Sequence, residues 1–181
     1  MTTKELDNLI SFKMGLPSLY HIMLGMTIEE TNEYEMEIGK RQTDNYDLND
    51  FLKQYEITVE RTAFTSEMCL SEITVYIPLE NVKERDLKVL FDYFAFRMEV
   101  IEKRFNYSSN AIDEICDLDI LIHSELYDVR ISINEDSDQL AISFVPGEDV
   151  NIDIFRCLAI IANNERQFAK EIIEYVEKYP L

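Results

Sequence analysis

The sequence predicts an α+β protein: an antiparallel sheet of about five strands in the order ββαβββα, with two long helices on one face. Three observations lead there. Five short segments alternate apolar and polar residues with a period of two. Two longer segments repeat apolar residues at three- and four-residue spacing. Only four glycines and four prolines interrupt 181 residues, so most of the chain must lie in regular elements.

Residues 1–50 read as an N-terminal segment ahead of an α+β domain over 51–181. Thr3 can cap a short helix carrying Leu6, Leu9 and Ile10. Next comes SFKMGLPSLYHIML, Ser11–Leu24. It reads either as two strands joined by Gly15-Leu16-Pro17-Ser18 or as a short helix capped by Ser18. The hairpin over 11–24 is preferred, because Gly15 permits unusual φ and Pro17 fixes its own. Glu33–Ile38, EYEMEI, alternates as a strand would, while Thr27 with Glu30 offers a helix start instead.

The domain opens with Tyr55–Phe64, where Tyr55, Ile57 and Val59 alternate with Glu56, Thr58 and Glu60. Leu70–Pro78 repeats the pattern with Ile73, Val75 and Ile77, and Pro78 ends it, having no N–H for a ladder. A helix over Val82 to Asn106 follows, capped by Asn81 with Glu84 three residues on. Its apolar face runs Leu87, Leu90, Phe91, Phe94, Met98, Ile101 and Phe105. Strands are then expected over Leu118–Ser124, Tyr127–Asn134 and Gln139–Pro146. The last helix starts near Asp149 or Asn151 and runs to Tyr179, with Phe155, Leu158, Ala162, Ala169, Ile172, Ile173 and Val176 on its apolar side and a bend at Asn163-Asn164.

Charge bounds the function. The formal net charge is −19, which argues against ordinary nucleic-acid binding, where cations must neutralise phosphates, and against attraction to anionic lipid. It favours fast capture of a basic partner. The charge is uneven. Asp113–Asp153 holds twelve acids against one base, Arg130, a net of −11. Between Asp7 and Glu29 there is no acid, and Lys4 and Lys13 cancel Glu5 and Asp7 over residues 1–28. Three scattered cysteines, Cys69, Cys116 and Cys157, without a C-x-x-C, read as reduced, buried thiols in a cytoplasmic protein; no signal or membrane-spanning run is present.

Few motifs carry chemistry. Asn134-x-Asp136-x-Asp138 matches the start of a calcium loop, but Gln139 replaces the required glycine and Val145 the closing glutamate, so it reads as a polar hairpin turn. Asp117 and Asp119 share a strand face near Asp113 and Glu114 without a lysine in a matching strand, which argues against a two-metal site. His123 reads as a hydrogen-bonded sheet histidine. No nucleophile motif and no phosphate-cradling glycine loop occurs, so no metal or cofactor is expected.

Lys13, Tyr20 and His21 bring a cation, a phenol and an imidazole together away from acids. If the chain is an enzyme, these are its catalytic candidates, for metal-free RNA cleavage needing a base, an acid and a cation, with Lys13 approaching Tyr20 across the hairpin. If it is a binding protein, Phe12, Lys13, Leu16, Tyr20 and His21 offer the neutral contact, and Asp136 and Asp138 belong to the negative one. The segment can also simply pack under the domain or into a homodimer partner.

SFKMGLPSLYHIML as a projecting element, together with an acidic α+β body, resembles the small acidic inhibitors of phages and mobile elements, including anti-CRISPR proteins. That resemblance implies an RNA-guided nuclease or its guide RNA as the target, in a bacterial cytoplasm. Acidic immunity proteins against basic nuclease toxins are similar in character.

Overall fold

Local hydrogen bonding organises the first third of the chain. The computed structural model describes residues 1–13, 15–35, 46–63, 69–110, 114–134 and 136–178. Helix α1 (Thr3–Leu9) is capped by Thr2, one residue earlier than expected. The Thr2 hydroxyl accepts the Glu5 N–H at 3.3 Å and the Glu5 carboxylate accepts the Thr2 N–H at 2.6 Å. Ile10 leaves the helix and opens β1 (Ile10–Lys13), which pairs antiparallel with β2 (Leu16–Leu19), Ser11 opposite Ser18 and Lys13 opposite Leu16. A hairpin is therefore present, but not the expected one: it turns between Lys13 and Leu16, with Gly15 at φ 77°, and the expected turn residues Leu16-Pro17-Ser18 form its second strand, which stops at Leu19. In α2 (Ile28–Glu35), Thr27 and Glu30 bond reciprocally at 2.8 and 3.2 Å, so the helix start displaces the strand expected from Glu33; the rest of EYEMEI lies outside the described residues. Helix α3 (Tyr46–Gln54) was not expected; its buried Leu48, Phe51 and Leu52, with Tyr55 beyond, fall at 3-4 spacing.

The main sheet has six strands: β3 (Thr58–Ala63), β4 (Leu70–Pro78), β5 (Val100–Ser109), β6 (Ile115–Ser124), β7 (Tyr127–Asn134) and β8 (Gln139–Pro146). Their order is β3-β4-β8-β7-β6-β5, and every pairing is antiparallel. Ile73, Val75 and Ile77, Ile120 and Ile122, Val129 and Ile131, and Leu140, Ile142 and Phe144 are buried on the inner side. Helix α4 (Glu84–Arg97) supplies buried Leu87, Leu90 and Phe94, with Phe94 edge-on to Phe144 at 5.6 Å between ring centres.

The expected 25-residue helix is two elements, which raises the strand number from five to six. Helix α4 stops at Arg97, and Val100–Ser109 pairs along β6. Met98, Ile101 and Phe105 fit a helical spacing, but Ile101 is 65% exposed, while Phe105 and Tyr107 alternate inward on a strand. The cap also differs. Asn81 lies in a short 3-10 turn, and the Asp86 carboxylate accepts the Lys83 N–H at 2.9 Å.

Helix α5 (Ile152–Lys178) is continuous through Asn163-Asn164. Only its first half covers the body. Phe155, Ala159 and Ala162 are buried, whereas Phe168, Ile172 and Ile173 are 65%, 47% and 58% exposed. The N-terminal segment is not set apart: Leu6, Leu16 and Ile22 share one hydrophobic cluster with the sheet and with Phe155. Cys69 is buried, but Cys116 and Cys157 are exposed, which corrects the expectation of three buried thiols. No helix among the described residues is long and apolar enough to cross a membrane.

Candidate functional site

The absence of acids from the opening segment follows from burial. Leu16–Leu19 and Ile22–Met26 are buried throughout, where an unpaired carboxylate would cost several kcal/mol. Backbone bonds hold the segment at both ends. The Tyr20 N–H donates to Leu9 O at 2.8 Å, the Gly25 N–H to Leu70 O at 2.9 Å, and the Leu70 N–H to Met26 O at 2.8 Å. Arg156 of α5 donates to Gly25 O at 3.3 Å and forks onto both Glu30 oxygens at 2.6 and 3.0 Å. Burial alone would raise the Glu30 carboxyl; the Arg156 guanidinium and the Thr27 N–H outweigh it and hold the group below the ordinary carboxylate range.

Tyr20 and His21 are the exception to this burial. Leu19 and Ile22 exchange N–H···O bonds of 2.8 and 2.9 Å around them, a two-residue turn with both central φ angles positive, 44° and 73°. Such turns favour Asn-Gly; two bulky side chains there store strain. His21 is exposed, and its ring lies 5.4 Å from that of half-buried Tyr20. Replacing His21 by glycine should therefore raise stability by up to about 1 kcal/mol; a urea midpoint that falls instead would show that the imidazole holds the turn by contacts rather than straining it.

The expected catalytic trio is only partly assembled. Lys13 and His21 line one crevice with Met23, Met26, Ala159, Ala162, Asn163 and Arg166, while Tyr20 is not among its walls. Lys13 lies opposite Leu16, not Tyr20. The crevice encloses about 10 Å³, no more than a water molecule needs. Of the contact candidates, Phe12 and Lys13 are half-buried, Phe12 packing 6.4 Å from Tyr93, and Leu16 is 1% exposed.

Acids gather at one end of the sheet. The Asn134–Gln139 turn holds exposed Asp136 and Asp138, with the Asp136 N–H donating to Asn134 Oδ1 at 3.2 Å. Gln139 pairs with Pro78, and the Leu79 N–H donates to Asp138 O at 3.1 Å, which brings Glu80 alongside. Asp119 pairs with Ser132 near the same end, and Asp117 lies beyond it. All five carboxylate residues are exposed, and among the described residues only Asp119 has an ion pair, to Arg104 at 3.2 Å.

On the outer side of the sheet, Asp128 was missed from sequence. It is 5% exposed; its Oδ1 lies 2.6 Å from His123 Nδ1, and its Oδ2 accepts from Arg130 at 3.1 Å. These three residues, with Glu102, Arg104, Asp119, Ser132 and Glu148, border an open hollow of about 480 Å³. His123 is thus hydrogen-bonded, as its place in the sheet suggested. The pairing was legible, because a two-residue loop at Glu125-Leu126 sets His123 opposite Asp128. Among the described residues no group of three or more His, Cys, Asp or Glu is placed to hold a metal ion. No protein-family model matches the chain, and comparison with curated proteins and with solved structures gives no significant match.

Proposed function

We propose that the chain is an acidic inhibitor protein of the anti-CRISPR type, which binds a basic nucleic-acid enzyme or its guide-RNA complex in the cytoplasm. The observation that carries this reading is the acidic end of the sheet: Glu80, Asp117, Asp119, Asp136 and Asp138 are exposed together. Such a surface competes with phosphate for a cationic groove and speeds the encounter. The strained Tyr20–His21 turn, in a stretch free of acids, supplies a neutral contact that phosphate would not repel. Cleavage of the RNA by Lys13 and His21 is the second reading, favoured by the crevice those two share with Arg166.

The test mixes the protein with an RNA-guided nuclease loaded with its guide. Co-elution with intact RNA is expected, and replacing Asp117, Asp136 and Asp138 together by asparagine should slow association roughly tenfold or more at low salt. Shortened RNA, restored by His21→Ala, would move the assignment to the cleaving reading. Binding that is unchanged between about 50 and 500 mM salt would overturn electrostatic docking.

A further inference from the structure

The uncovered side of α5 carries a pattern of its own. Ile154, Leu158, Ile161, Glu165, Phe168 and Ile172 follow one another at alternating intervals of four and three residues; all are exposed except Leu158, which is half-buried against the protein's own core. That is a heptad seam, spanning about 27 Å at 1.5 Å per residue. Ile154, Ile161, Phe168 and Ile172 are 44%, 46%, 65% and 47% exposed. Large apolar side chains in such a row, left to water, mark a surface that something covers.

Steps of four and three residues suit a second helix laid alongside, whose side chains can fall into the gaps between these residues. Charge then chooses among helices. Ile154–Lys178 contains four acids, Glu165, Glu171, Glu174 and Glu177, and four bases, Arg156, Arg166, Lys170 and Lys178, a net charge of zero in a chain of −19. A basic partner gains nothing electrostatically from this segment. Two copies of a strongly acidic protein, by contrast, can approach each other here without the repulsion the rest of the surface imposes.

We infer that α5 is a homodimerisation helix: its Ile154–Ile172 seam packs against the same seam of a second copy as a two-helix coiled coil. Glu165 is the single charged residue in the seam, and a polar residue at a seam position sets register at a cost in stability.

Sedimentation of the full chain over about 1–200 µM tests this, a range that spans weak and standard interfaces. The expected result is a species of twice 21.3 kDa that dissociates on dilution. Phe168→Glu should weaken association roughly tenfold or more, and Glu165→Leu should tighten it about tenfold. Both side chains are exposed in the single chain, so circular dichroism and the unfolding midpoint should stay near those of the parent. A monomer at every concentration, or a dimer indifferent to both substitutions, overturns the proposal. Equally, binding of the monomer through α5 to lipid vesicles or to the nuclease complex would assign the seam elsewhere.

Discussion

Gly25→Ala is expected to destabilise the protein by about 3 kcal/mol or more, or to prevent folding, and Gly15→Ala by only about 1 kcal/mol. Both glycines have positive φ, 82° and 77°. Any residue with a Cβ meets the same left-handed strain at either site. They differ in what surrounds that Cβ. At Gly15 nothing lies within 4 Å. At Gly25 a Cβ would fall closer than 3.0 Å to the backbone C and O of Phe155 and to the N of Arg156, atoms inside a helix that cannot rotate away. Relief requires α5 to lift from the segment, which uncovers Phe155, now 0% exposed, and breaks the Arg156 bond to Gly25 O. Urea unfolding of both variants separates strain from clash; equal losses would mean that the close approach of α5 adds nothing.

Asp86→Ala is the second large loss, about 3 kcal/mol, and in a chain of this size a fall in Tm of roughly 6–12 °C. Asp86 is 1% exposed. Its Oδ2 accepts the Lys83 N–H that opens α4, and its Oδ1 accepts from the Met1 amino group at 2.7 Å, an amine that also touches the Tyr55 hydroxyl. Removing the carboxylate leaves a fully buried ammonium without its counter-charge and the helix without its cap. Lys88→Ala is the control. It breaks an exposed i,i+4 pair to Asp92 of equal length, 2.7 Å, and should cost under about 0.5 kcal/mol. Thermal melts that place the two variants together would refute the buried pair's role.

The strands were the most legible part of the sequence. Leu70–Pro78, Tyr127–Asn134 and Gln139–Pro146 have the bounds their alternation and turn residues predict. Elements went astray where two periods fit one segment. Met98, Ile101 and Phe105 continue the helical face of α4, while Phe105 and Tyr107 begin a strand, and only the partner strand β6 decides. Helix α3 hid among Asn45, Asp47, Asn49 and Asp50, residues that favour turns, although its apolar spacing is regular. For α5 the pattern announces an apolar face but not how far the body reaches along it. At the candidate site, the neutral stretch was conspicuous, but neither burial nor the turn geometry could be read from it. Tyr-His is a poor sequence for a left-handed pair, so nothing in the residues foretold one.

The clasp between Gly25 and α5 also sets a timetable. Arg156 is 131 residues downstream of the carbonyl it grips. A ribosome adding about 5–20 residues per second needs roughly 7–26 s to cover that distance. Throughout that interval Met23 and Met26 lack Ala159 and Ala162 as neighbours, and the nascent chain carries this acid-free stretch without its cover. The strands from β5 to β8 are sequence neighbours and can pair as they emerge, whereas the N-terminal segment is sealed only when α5 arrives. Completion of the fold is therefore a late event, set by the arrival of α5.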